Sequence, residues 1–328
     1  MNVMVPPRGP AQAYNTAMRG TRLAILGMGV AICALAQGPI TQRPRPPQPE
    51  APRANLRVDT QLVLVPVSVN DKLNRPVSGL EKENFRIFED RVEQPIVQFA
   101  MDDEPVAVGL IFDTSGSMES KLGRSRQAAA EFFRVANPED EFFLVEFGDA
   151  PKLRVPLTGD AGRIETQLAF SMAKGSTALL DAIYLGLHEI KKSKKNKKAL
   201  LIISDGGDNH SRYTLNEVQN LVRESDVLIY SIGVFGGFGT PEEVGGPGML
   251  AHISEETGGR MFEADVPELP DIARKIGIEL RNRYILGYSP QAQPRDGKYH
   301  RILVKVVPPR GLPALRAHWR MGYNAPVE

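Results

Sequence analysis

Residues 106–117 read VAVGLIFDTSGS, and the rest of the chain arranges itself around that stretch. Val106 to Phe112 is an unbroken apolar run of the length of a strand buried on both faces, and a helix-like pattern follows it. The turn between them sets Asp113, Ser115 and Ser117 at alternate positions. In an open α/β sheet such a turn lies at the carboxyl end of a strand, where loops converge and ligand sites collect. Carboxylate and hydroxyl oxygens, with no Cys or His among them, suit a hard cation such as Mg²⁺.

Three side chains are too few for such an ion, and two later turns supply more. Gly175-Ser176-Thr177 precedes a helix pattern that begins near Leu180, and Ser204-Asp205-Gly206-Gly207-Asp208 follows the apolar run ALLII at 199–203. Any one of these loops also reads as a helix N-cap, because Ser, Thr and Asp oxygens accept the orphan N–H groups of a first turn. Three of them in order, with no member missing, form a candidate metal set of Asp113, Ser115, Ser117, Thr177 and Asp205.

These residues, with the flanking IFDTSGSM (111–118) and IISDGGDN (202–209), resemble the von Willebrand factor type A domain family and its metal-ion-dependent adhesion site, from about Val106 to Leu280. The resemblance implies Mg²⁺, or Mn²⁺ or Ca²⁺ in its place. Ser115 and Ser117 would bind the ion directly, Thr177 directly or through water, and Asp113 and Asp205 largely through water. It further implies that a partner protein presents an Asp or Glu carboxylate to the ion, and that the last helix shifts on binding. The function so implied is an extracytoplasmic, metal-dependent adhesion or protein-binding module and not an enzyme.

The surrounding pattern indicates a doubly wound α/β fold with a mostly parallel sheet and helices on both faces. Strands are expected at 106–112, 141–146, 153–157, 199–203, 227–234 and 260–262, and helices near 120–135, 180–191, 215–223, 249–256 and 269–280. The turn at 148–151 is too short for a crossover, so the strands on either side of it must be antiparallel. Period-two alternation in 56–99 and again in 283–288, 299–307 and 314–323 indicates half-buried strands. Residues 56–100 and 281–328 are therefore expected to form one β-sandwich-like domain around an inserted α/β domain at 104–280, or else two separate flaps.

Forty basic and 39 acidic residues give a net charge of +1, so no bulk electrostatic pull toward nucleic acid exists. Arg19 and Arg22, the apolar stretch Leu23 to Leu35 and the Ala34-Leu35-Ala36 site read as a secretory signal over 1–36, with translation starting at Met18. The apolar stretch is short of the ~20 residues of a membrane span, so membrane insertion is not expected once the signal is removed. Cys33, the one cysteine, would leave with it. Residues 37–55 are Pro-rich and read as an extended linker. A secreted or periplasmic location follows.

Several other features invite a reading. The Gly-rich segment 236–248 is expected to be a loop beside the metal turns, offering Phe238, Glu242 and Glu243 to a partner. KKSKKNKK at 191–198 is expected to be a solvated basic run. Asp208 is expected either to organise the third turn or to add a water-mediated contact to the ion, with His210 on the surface. His188, His252, His300 and His318 show no zinc-ligand spacing along the chain. Two rival functions stand beside the binding module. One is a structural part of an envelope assembly whose ion is held by an internal carboxylate, Glu119 or Glu242. The other is metal-assisted phosphoryl transfer with Asp113 as nucleophile, against which Ser115 stands where a D-x-D enzyme needs its second Asp.

Overall fold

The computed structural model describes residues 62–234, 241–290 and 296–327, with side chains omitted at 241–245. The signal and linker of the sequence reading lie outside these residues. The chain begins with β1 (Val63–Asn70), β2 (Phe85–Glu89), β3 (Val92–Gln94) and β4 (Ile96–Asp102). A central segment follows as β5 (Val106–Asp113), α1 (Leu122–Arg134), β6 (Glu141–Phe147), β7 (Lys152–Thr158), α2 (Ala161–Ala169), α3 (Leu179–Ile190) and β8 (Lys197–Ser204). It continues through α4 (Leu215–Glu224), β9 (Val227–Val234), α5 (Pro241–Glu256), β10 (Met261–Ala264) and α6 (Leu269–Arg281). The chain closes with β11 (Arg283–Tyr288), β12 (Tyr299–Val306), β13 (Arg316–Trp319) and β14 (Gly322–Asn324).

The central sheet has the order β10-β9-β8-β5-β6-β7, parallel throughout except for the antiparallel β6–β7 pair at its edge. β5 lies in the middle and is buried along its whole length. Its side chains alternate between two cores. Val106, Val108, Leu110 and Phe112 join the cluster under α1, α2 and α6, whereas Ala107 and Ile111 join the cluster under α3, α4 and α5. The period-two geometry of a strand divides one apolar run between both helical layers. Gly109 leaves room for its neighbour, since a Cβ there would stand 2.1 Å from the Phe143 ring.

The remaining strands make two antiparallel sheets, each drawing on both ends of the chain: β13-β1-β11-β4 and β14-β12-β2-β3. Val65, Val67 and Val69 of β1, Phe85 and Ile87 of β2, Tyr284 and Leu286 of β11, and Ile302 and Val304 of β12 share a single apolar cluster.

Three sequence expectations are corrected. The Gly-rich segment expected as a loop is helical from Pro241, whose fixed φ suits the first turn of a helix; residues 235–240, including Phe238, lie outside the described residues. The basic run is not wholly solvated, because Lys197 opens β8 and is buried against Asp102 at 2.8 Å. Burial, opposed by the Asp102 contact, holds the Lys197 pKa below its ordinary value. The strand expected over 314–323 is two strands in different sheets, parted at Arg320 and Met321. Gly322 allows that crossing, since a Cβ there would meet the His300 carbonyl at 2.2 Å.

Candidate metal centre

Four loops meet at one edge of the central sheet, those after β5, β6 and β8 and the one between α2 and α3, and hydrogen bonds tie them together. After β5, Gly116 N–H donates to Gly175 O (3.0 Å), and Lys174 N–H donates to Thr114 O (2.7 Å). The loop after β6 joins them, as Thr114 N–H donates to Phe147 O (2.8 Å) and Ala178 N–H donates to Gly148 O (2.9 Å). The loop after β8 closes the set, with Asn209 N–H on Thr177 O (3.0 Å) and Thr177 N–H on Asn209 Oδ1 (2.9 Å). Gly175 and Gly206 both sit at positive φ, the region that glycine reaches without strain.

The five sequence-predicted residues lie on these loops. Asp113 is fully buried at the end of β5, and its Oδ1 accepts Ser115 N–H (2.8 Å) while its Oδ2 accepts the Ser204 hydroxyl (2.5 Å). Ser115 is buried and Ser117 is exposed, with their hydroxyls 3.1 Å apart. Thr177 is 5% exposed and Asp205 1% exposed. The shared edge is thus buried beneath Asp113 and opens to solvent at Ser117. Asp208 does organise its turn, accepting Leu179 N–H (2.9 Å) at the start of α3 and the Ser211 hydroxyl (2.6 Å). His210 is on the surface.

Burial, reinforced by the nearby Asp205 charge, pushes the Asp113 carboxyl up to about 7. Two acidic groups buried together are short of positive charge, and a divalent cation would supply it. The donors on hand are all oxygens, which fits Mg²⁺ and not a soft metal. Lys121, one turn beyond Ser117, already gives one positive charge, its Nζ standing 3.1 Å from Asp205 Oδ2 with both side chains buried. Nothing in the motif spacing singled out Lys121. A lysine four residues after the second Ser reads equally well as a solvated helix start.

Sequence reading also missed α2 and what it leads to. The loop from α2 to Thr177 exposes Phe170 (75%) and Met172 (81%), two large apolar side chains on the same loop that brings Thr177 to the edge.

Residues 108–207 match the family model of the von Willebrand factor type A domain. An uncharacterized protein of Borreliella burgdorferi is 28% identical over 212 residues, covering 54% of this chain and 62% of that protein, so the chain spans under two thirds of this relative. Among solved structures, a von Willebrand factor type A protein from Catenulispora acidiphila aligns with a TM-score of 0.48 at 12% identity, covering 83% of this chain and 75% of that one. The vWF domain of the type V pili tip protein Mfa5 from Porphyromonas gingivalis aligns with a TM-score of 0.44 at 13% identity, covering 55% of this chain and 97% of that one. The family-model match and the sheet order agree on an α/β architecture for the segment that contains residues 108–207.

Proposed function

We propose that this protein is an extracytoplasmic, divalent-metal-dependent protein-binding or adhesion module, without enzymatic activity. The observation that carries the reading is the convergence of Asp113, Ser115, Ser117, Thr177 and Asp205 on one sheet edge, on loops that hold each other by backbone hydrogen bonds. Ser115 and Ser117 would hold Mg²⁺ directly, Thr177 would stand beside them, and Asp113 and Asp205 would balance its charge from below. When bound, the ion supplies a concentrated positive charge that attracts a partner's Asp or Glu carboxylate. The chain's own residues do the rest: Asp113 orients the Ser115 backbone, the Gly175 loop fixes the edge, and Ser117 lies where a partner can approach. The exposed Phe170 and Met172, on the loop that carries Thr177, suit contact with a protein surface, because large apolar groups left in water favour association.

The test is calorimetric titration of Mg²⁺ and Mn²⁺ into the chelator-treated whole chain, beside Asp113→Ala and Ser115→Ala. One binding event in the wild type, lost in both folded variants, is the expected result. A folded wild type that binds neither ion would reduce the motif to three capped turns. Once a partner is in hand, a Phe170→Ser/Met172→Ser double variant should bind Mg²⁺ unchanged and the partner at least tenfold more weakly, in proportion to the apolar area removed from the contact.

A further inference from the structure

A cluster far from the sheet edge has the chemistry of a different metal. In the β14-β12-β2-β3 sheet, one oxygen each of Glu89 and Asp90 and a ring nitrogen of His300 lie within 4.8 Å of one another. Strand pairing brings them together across more than two hundred residues of sequence. Glu89 ends β2 opposite Ile302, Asp90 begins the turn at φ 46°, and His300 lies on β12 opposite Tyr323.

Asp90 and His300 are each pinned by one atom and leave another for a ligand, whereas Glu89 presents to His300 the oxygen that also accepts the Tyr323 hydroxyl. Asp90 Oδ1 accepts Arg301 N–H (2.9 Å), so that Oδ2 faces His300 Nδ1 at 2.7 Å. Glu89 Oε1 accepts the Tyr323 hydroxyl (3.0 Å) and stands 3.5 Å from the same Nδ1. Glu89 is 94% buried on its 6% exposure, yet its Oε2 has no hydrogen-bond partner. The Tyr288 hydroxyl, also buried without a hydrogen bond, lies beside Glu89, and an ion would add a partner to a carboxylate otherwise held by Tyr323. On the far side of the ring, His300 Nε2 lies 3.1 Å from Asp296 Oδ1, itself fixed by Lys298 N–H at 3.0 Å. Metal-bound histidines almost always donate their second ring N–H to a carboxylate, a backbone carbonyl or water, which sets the tautomer and orients the ring, and Asp296 stands where it would do so here.

We propose that Glu89, Asp90 and His300 form a divalent-metal site of the zinc class, with Asp296 as the residue that positions His300. One nitrogen and two carboxylate oxygens match a three-ligand zinc set that leaves a coordination position for water or a further ligand. Ligand atoms around tetrahedral zinc stand roughly 3.3 Å apart. The 3.5 Å from Glu89 Oε1 to His300 Nδ1 already fits, and the 2.7 Å from Asp90 Oδ2 to the same nitrogen would widen by about 0.6 Å around an ion. An ion has a way in, because the Asp90 side chain is 50% exposed and lines an open cleft of about 1210 Å³. Bound there, the ion would clip the β2–β3 turn to β12.

The experiment is a Co²⁺ titration of the chelator-treated whole chain carrying Asp113→Ala and Ser115→Ala, which removes the oxygen-only centre, followed by visible absorption and by Zn²⁺ displacement. One Co²⁺ per chain, with d–d bands of nitrogen–oxygen ligation that Zn²⁺ erases, is the expected result. His300→Gln should abolish the bands, and Asp296→Asn should weaken binding 10- to 100-fold without removing a ligand. Should His300→Gln fail to fold, Glu89→Gln, which keeps an acceptor for Tyr323, takes its place. Absence of the bands in the folded parent, or an unchanged affinity in folded Asp296→Asn and Glu89→Gln, overturns the site.

Discussion

Lys121 is the residue on which the metal-free edge depends. Its ammonium is the buried positive charge paired with Asp205, and Asp205 in turn sits within electrostatic reach of Asp113. Removing one partner of a buried ion pair costs ~3–5 kcal/mol, because the other charge is left without compensation. Lys121→Met should therefore lower the melting temperature sharply in chelator. Excess Mg²⁺ should recover much of the loss if the ion takes over the charge of the ammonium, and scanning calorimetry with and without Mg²⁺ reads the difference. Equal loss in both conditions would mean that the cation does not share the Asp205 site. The contrast with the other site residues is instructive. Asp113, Ser115 and Ser117 were legible because they are adjacent in sequence and follow an apolar strand, so local geometry alone places them. Lys121 was not, since its burial depends on a loop 84 positions away. The Glu89–Asp90–His300 cluster was likewise invisible to ligand spacing, which looks along the chain, whereas antiparallel pairing of β12 with β2 makes the contact.

Elements were read best where one strong pattern governed them. β9 and β11 run over the expected residues, and α1, α3, α4 and α6 differ from expectation by a residue or two at their ends. α2 was missed because AGRIETQLA carries only two fully buried apolar residues, Ile164 and Leu168, and starts on the Asp160 cap to Gly162 N–H. α5 was shortened because glycines argued for a loop, while the tertiary fold wants Gly246 against Gly206, where any Cβ would lie 2.5 Å from the Gly206 backbone. β13 and β14 were merged since alternation says nothing of which sheet a strand joins. β13 also holds a pH prediction. His318, opposite Ser68 on β1, has its pKa lowered to about 4 by burial and then by Arg260, with Arg316 and Arg283 acting the same way and Glu279 opposing them. Its Nε2 is buried without a hydrogen-bond partner. An imidazole that takes its proton near 6.5 when unfolded and near 4 when folded is neutral in both states above pH 6.5. As pH falls from 6.5 toward 4 the unfolded chain alone gains the proton, so stability declines across that window. Allowing for partial exposure, about 2 kcal/mol should be lost, and urea midpoints from pH 7.5 to 4.5 measure it. His318→Gln should flatten this part of the profile; an unaltered slope would assign it to other groups.

At the scale of the whole molecule, one buried carboxylate joins the α/β layers to the β sheets. Glu279 on α6 is 1% exposed and accepts three hydrogen bonds: from Arg260 Nη2 (2.5 Å), from Asn70 Nδ2 at the end of β1 (3.1 Å), and from the Tyr230 hydroxyl of β9 (2.9 Å). Arg260 reaches on to Asn74 Oδ1 (2.9 Å) in the turn after β1. Burial, and then the charge of Glu279, push the Tyr230 pKa far above the ordinary tyrosine range, so the hydroxyl stays a donor. The other end of this connection is the metal edge, because α1, which follows Ser117, packs along α6 so closely that a Cβ on Gly277 would stand 2.5 Å from Val135. A displacement of α1 on ligand binding would reach β1 through α6 and Glu279. Trp319, the one tryptophan of the chain, lies on β13 beside β1 and reports on that sheet, whereas far-ultraviolet circular dichroism is weighted to the helices. In the wild type the two signals should fall together in urea, as in a two-state transition. Glu279→Gln keeps the shape of the side chain but leaves Arg260 buried without its anion, at a cost of ~3 kcal/mol or more. The Trp319 transition should then move to lower urea ahead of the helical one. Coincident transitions with less than ~1 kcal/mol lost would show instead that the apolar cluster of the β sheets holds without this node, and that the metal edge has no buried polar route to β1 through Glu279.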